Sequence, residues 1–166
     1  YRINIIYLFK KLKVTENIWK ICVKNNPIFA MDIVIHNKKY GILTGKRLNE
    51  PAKGKYFVPG GRIFKNETRE KAFKRIAKNE TGLDLKLEES KLIGIFEHFY
   101  QNSKWKNEDI NTHYIVEARY ISINSKIEKF INLDNQHNDS LWLNNSASHK
   151  LLMHKYCEPY VNFIYK

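Results

Sequence analysis

The sequence predicts the α/β (α+β) class: an α/β/α sandwich on a mixed central sheet. Three observations point there. β-rich runs outnumber helical ones, a glycine turn leads straight into one amphipathic helix, and 166 residues with 43% hydrophobic content suit a single domain over residues 1–166.

In chain order, Thr15–Lys24 carries Ile18, Trp19, Cys22 and Val23 at helical spacing. Pro27 blocks continuation. Ile28–Ile35 is then an almost unbroken apolar run holding one acid, Asp32, as in a strand covered on both faces. His36–Lys39 reads as a polar turn and Tyr40–Thr44 as the returning strand of a hairpin. Lys55–Val58 is a short strand that Pro59-Gly60-Gly61 ends. Thr68–Asn79 places Ala72, Phe73, Ile76 and Ala77 on one stripe, and Gly82 marks the stop. Lys91–Phe99 and Thr112–Ser122 are β-rich and joined by polar Gln101–Asn111. Asp139–Leu143 is a further short strand, and Ser146–Tyr156 is expected to be helical. No repeat or Pro/Gly/Ser linker interrupts this order.

Composition narrows the function classes. No apolar run approaches the ~20 residues that span a bilayer, so no membrane partner is expected. Ile3–Phe9 is apolar but short, and Lys10, Lys11 and Lys13 follow it where a signal peptide would have a cleavage site; it reads as structure. Cys22 and Cys157 make no disulfide framework, and a cytoplasmic location is expected. The net charge of +12 favours polyanions in general. It is spread along the chain without an aromatic–basic RNA-binding signature, so no nucleic-acid partner is expected.

The chemistry is carried by Gly61-Arg62-Ile63-Phe64-Lys65-Asn66-Glu67 and, seven residues on, Arg75-Ile76-Ala77-Lys78-Asn79-Glu80-Thr81-Gly82-Leu83. This frame resembles the Nudix box, G-x5-E-x7-R-E-U-x-E-E-x-G-U, and so implies a Nudix-type fold. Gly61, Glu67, Arg75, Glu80, Gly82 and Leu83 fit, whereas Ile76 and Asn79 stand where the pattern has glutamates. Positions 76, 79 and 80 share a helix face. Three carboxylates there would repel one another without divalent cations between them. Glu80 alone suits a single Mg²⁺, given other oxygen ligands, for which the main-chain carbonyl of Gly60 is a candidate. On purely structural grounds, Glu67 and Glu80 would simply pair with nearby Arg or Lys.

The departures are shared with one branch. From about Asn25 to Trp142 the chain resembles GDP-mannose mannosyl hydrolases, which have a similarly degenerate box. Gly45-Lys46-Arg47, Tyr56-Phe57-Val58-Pro59-Gly60-Gly61-Arg62, His98-Phe99-Tyr100, Thr112-His113-Tyr114 and Gln136-His137-Asn138-Asp139 before Trp142 carry the resemblance, in order.

That resemblance implies Mg²⁺-dependent release of GDP and mannose by water attack at sugar C1. It implies Gly60 (carbonyl), Glu80 and Gln136 as metal ligands and His137 as general base. Arg47 and Arg62 would act on the diphosphate, and Asp32, His98 and Tyr114 would contact mannose or assist departure. GDP-glucose stands as an alternative substrate, and a homodimer is compatible with the family. Bland roles exist for several of these: Asp32 as a paired structural acid, Tyr114 as strand packing, the arginines as surface cations. His36, His113, His149 and His154 read as surface or packing residues. Two other functions compete: a Nudix pyrophosphatase that cuts a nucleoside-diphosphate sugar at phosphorus, and a non-catalytic nucleotide-sugar binding module.

Overall fold

The computed structural model describes residues 15–105, 108–124 and 137–166. The segment Ile3–Phe9 and the expected metal ligand Gln136 lie outside the described residues.

Helix α1 (Glu16–Asn25) starts at Thr15, whose hydroxyl caps Ile18 N–H, and stops before Pro27. Strand β1 (Ile28–Asn37) follows and forms the centre of a seven-stranded mixed sheet. Its side chains alternate between two covered faces. Met31, Ile33 and Ile35 pack in one core with Phe73 and Ile76, while Val34 packs in a second with Tyr160 and Val161. That explains a strand apolar on both sides.

The hairpin turn is tighter than the sequence suggests. Asn37 remains in β1, and its Oδ1 accepts hydrogen bonds from Lys39 N–H (2.9 Å) and Tyr40 N–H (3.3 Å). Strand β2 (Gly41–Arg47) therefore begins at Gly41, not Tyr40. Gly41 has φ +102°, and a Cβ there would lie 2.4 Å from the Leu143 carbonyl oxygen, so only glycine fits.

Strand β3 is only Tyr56–Phe57, and the glycine turn does not end the structure as expected. Gly60–Arg62 forms strand β4, antiparallel to β1. The reason is close approach: Cβ atoms on Gly60 and Gly61 would meet Asp32 Oδ1 at 2.4 Å and Ile76 Cγ1 at 3.3 Å.

Helix α2 (Arg69–Thr81) has Thr68 as N-cap and Gly82 in the left-handed conformation as C-cap. Thr68 Oγ1 accepts from Lys71 N–H, so Thr68→Ala should lower unfolding stability by about 1 kcal/mol, measurable by urea denaturation.

Strands β5 (Lys91–Tyr100), β6 (Thr112–Ser122) and β7 (His137–Leu143) complete the sheet; β6 runs parallel to β1, and β7 pairs with β2. The expected helix Ser146–Tyr156 is shorter. Helix α3 (Ala147–Leu152) stops because Met153 bridges Tyr56 and His154 N–H bonds the Tyr56 carbonyl. A 3₁₀ turn at Lys155–Cys157 then leads into helix α4 (Glu158–Ile164), an element absent from the sequence reading. With α2 on one face and α4 on the other, the layers are α/β/α. Among the described residues, no helix is long and apolar enough to cross a membrane.

Candidate functional site

A cleft of about 640 Å³, within the usual range for small-ligand sites, opens over β1, β4, β5 and β6 beside α1 and α2. Every site residue that the sequence suggested and whose side chain is described lines it: Asp32, Arg47, Arg62, Glu80, His98 and Tyr114, with Gly60 contributing backbone. The motifs lie far apart in sequence, and the sheet gathers them. β1 places Asp32 between Gly60 of β4 and Ala118 of β6, while Tyr114 and His98 pair across β6 and β5. His137 starts β7 in register with Arg47 of β2. Its backbone is described and its side chain is not.

The box folds into a clamp around the helix entry. Glu67 takes two bonds from Arg75 (Nε 2.7 Å, Nη2 2.8 Å) and one from Phe64 N–H at 3.0 Å, and Arg75 Nη2 also bonds the Arg62 carbonyl at 2.8 Å. Glu67 thus has the structural role that ion pairing suggests: it holds the loop to α2. Ile76 is buried in the apolar core against Gly61, and Asn79 lines the cleft beside Glu80. A carboxylate at Ile76 would sit in that core, where an unpaired charge is strongly disfavoured.

Among the described residues no three His, Cys, Asp or Glu side chains converge as a metal cluster. Glu80, buried, is the one acid of the box that borders the cleft near Gly60. One carboxylate with neutral carbonyl or amide oxygens fits a single hard cation that keeps several waters, and does not fit a multi-cation site.

Electrostatics separates the residues further. Burial pushes Asp32 up to about 7, against the opposing pull of the Tyr160 hydroxyl and the Arg47 charge. His98 is pushed down to about 4, first by burial and then by His154, so its imidazole is neutral across the physiological range. Burial raises Tyr114 and Tyr100, which keep their hydroxyl protons. The cleft therefore offers guanidinium cations at one set of positions and neutral hydrogen-bonding groups at another.

Three aromatic residues join the site without having been singled out for it. Trp19 of α1 lies under the Arg62 guanidinium at 3.9 Å from the ring centroid, with Phe64 also near that cation at 5.0 Å. Tyr100 lines the cleft and meets Tyr114 edge-on. The one available signal was Tyr100's place in the His98-Phe99-Tyr100 motif; Trp19 looked like ordinary helix packing. His154 packs against Phe57, Tyr100 and Tyr156, in agreement with a packing role. His113 stacks on Phe99 at 4.3 Å, and its Nε2 is buried without a hydrogen-bond partner among the described residues.

Similarity to known proteins agrees with this architecture. Residues 27–151 match the NUDIX domain. The chain is 38% identical over 125 residues to the low-salt glycan biosynthesis protein Agl8 of Haloferax volcanii, covering 75% of this chain and 76% of that protein. It is 37% identical over 87 residues to an ADP-ribose pyrophosphatase of Methanocaldococcus jannaschii, covering 52% of this chain and 50% of that one. The structure of a bifunctional NMN adenylyltransferase/ADP-ribose pyrophosphatase from Francisella tularensis, complexed with AMP and a manganese ion, superposes with TM-score 0.64 at 18% identity. That match covers 90% of this chain and 46% of the other. The chain spans half or less of the last two proteins, and at 18% identity the likeness to the Francisella structure is one of fold. The extent of the domain match and the Agl8 identity together place the chain in the Nudix hydrolase family.

Proposed function

We propose that this protein hydrolyses GDP-mannose to GDP and mannose, with water attacking sugar C1. The observation that carries the reading is the box itself: Ile76 is core and position 79 is Asn, which leaves Glu80 as the only box carboxylate on the cleft. Attack at phosphorus benefits from several cations. Attack at a sugar carbon calls instead for a stabilised leaving group and a positioned water, with an oxocarbenium-like transition state.

The residues suit that second demand. Arg47 and Arg62 bind the diphosphate, where a guanidinium fork favours the charge that grows as the C1–O bond breaks. Gly60 carbonyl, Glu80 and Gln136 would hold one Mg²⁺, which would supply neutralisation of the charge on the departing diphosphate. Neutral His98 and Tyr114 donate hydrogen bonds to the sugar, and Asp32 accepts one from a sugar hydroxyl. His137 takes the proton from the attacking water. Trp19, stacked on Arg62, offers an aromatic face beside the nucleotide. The name of the Haloferax relative, a glycan biosynthesis protein, is compatible with a nucleotide-sugar substrate.

Hydrolysis in ¹⁸O-water tests the reaction directly. The label is expected in mannose, with unlabelled GDP. Label in a phosphate product would replace this reading with cleavage at phosphorus, the reaction that the name of the Methanocaldococcus relative denotes.

A further inference from the structure

Two contacts reach the cleft from the last part of the chain, beyond the residues matched to the NUDIX domain. Tyr160 of α4 is fully buried, and its hydroxyl donates to Asp32 Oδ2 at 2.8 Å. The other oxygen, Oδ1, lies so near Gly60 that a Cβ there would come within 2.4 Å of it. The Asp32 carboxylate is thus gripped by α4 on one oxygen and laid along the glycine strand with the other. Tyr156, in the 3₁₀ turn, stacks flat on His98, with centroids 4.1 Å apart and rings inclined by 7°. Its hydroxyl accepts from Phe99 N–H at 2.8 Å and donates to the Phe99 carbonyl at 2.7 Å. The stacked ring is therefore fastened to the strand that carries His98.

We infer that the segment Lys155–Ile164 is part of the active site, with Tyr160 and Tyr156 as positioning residues for Asp32 and His98. Filling the core would require only a phenylalanine at 160, because a buried hydroxyl is costly unless it is bonded. Here the hydroxyl is spent on the one acid in β1, an acid that borders the cleft. With Oδ2 engaged, Oδ1 is the oxygen available to a ligand, and rotation of the carboxylate is restricted. Likewise the His98 ring, flat on Tyr156 and edge-on to Phe57 and Tyr100, has the plane of its two nitrogens fixed. Holding groups in reacting orientation is where enzymes gain rate, and such support comes from residues that never touch the substrate.

The inference rests on the proposed hydrolysis for its readout, so the test separates the two. Hexose release from GDP-mannose is measured for wild type, Tyr160→Phe, Asp32→Asn and the double variant, with melting temperature for each. Tyr160→Phe should lower kcat about tenfold with KM within about twofold, and should cost nothing further in the Asp32→Asn background, as expected of coupled residues. An equal loss in both backgrounds, or wild-type kcat in the single variant, would overturn the role of Tyr160. Tyr156→Leu, which removes the ring, should lower kcat, while Tyr156→Phe, which keeps the stack, should restore most of it. Equal activity in those two variants would overturn the role of Tyr156, and this pair decides the segment's part if Tyr160→Phe does not fold. Should wild type release nucleoside monophosphate instead of hexose, the proposed function fails, and the same cycles read on that product still decide the inference. Should it turn over neither, the segment has no catalysis to support and the inference is overturned.

Discussion

His137→Gln is expected to lower kcat about 10²–10⁴-fold, the usual worth of a general base, with little change in KM. The expectation follows from what α2 lacks. In box positions 76 and 79 this chain has a core isoleucine and an asparagine, so the helix has no spare carboxylate to deprotonate water. His137 follows the proposed metal ligand Gln136 and stands in register with Arg47 on the neighbouring strand, close to the proposed diphosphate site. The acid limb of the kcat profile should fall near the histidine range, about 6.5, and vanish in the variant. Near-wild-type kcat would move the base to Asp32 or His98. The limb itself would help choose between them, since burial pushes Asp32 up to about 7 and His98 down to about 4.

Glu80→Gln should lower activity and metal affinity together, by roughly 10²-fold or more. Loss of a residue that only supports a metal ligand already costs about 10–100-fold. The change keeps the shape of a buried side chain and removes the single box carboxylate on the cleft. Calorimetric titration should give one Mg²⁺ per chain in the wild type. Two or more catalytic ions, beyond any carried by free nucleotide, would contradict the proposed site.

Much of this architecture was legible where local chemistry and tertiary demand coincide. Helix α2 has a capping threonine, an apolar stripe and a stop glycine in one stretch of sequence, and β1 and β6 appear at nearly their observed bounds. The motifs also named residues that the sheet brings to one cleft. Pro59-Gly60-Gly61 reads as a turn because glycine pairs suggest turns, whereas Gly60–Arg62 forms a strand in which the missing Cβ atoms admit Asp32 and Ile76. Helix α4 escaped notice because it is short and follows a break imposed by Tyr56, nearly a hundred residues earlier, through the His154 N–H bond. Tyr160 gave no signal at all. Its meaning lies in a hydrogen bond to a residue 128 positions away, which no periodicity reveals.

The parallel pairing of β1 with β6 also constrains how the molecule is made. Ile28–His36 is joined along its length to Tyr114–Ser122, and Ile42–Arg47 to His137–Leu143. Both pairings require closure of a long stretch of chain before any ladder bond rewards it, and such topologies fold slowly, on the millisecond-to-second scale. During synthesis the apolar run of β1 leaves the ribosome well before its partner exists. Until β6 follows, that strand can be covered only by its hairpin with β2 and by β4, whose glycines leave much of it bare. An apolar stretch that must wait for a neighbour so far along the chain is a part of the nascent protein in need of shielding.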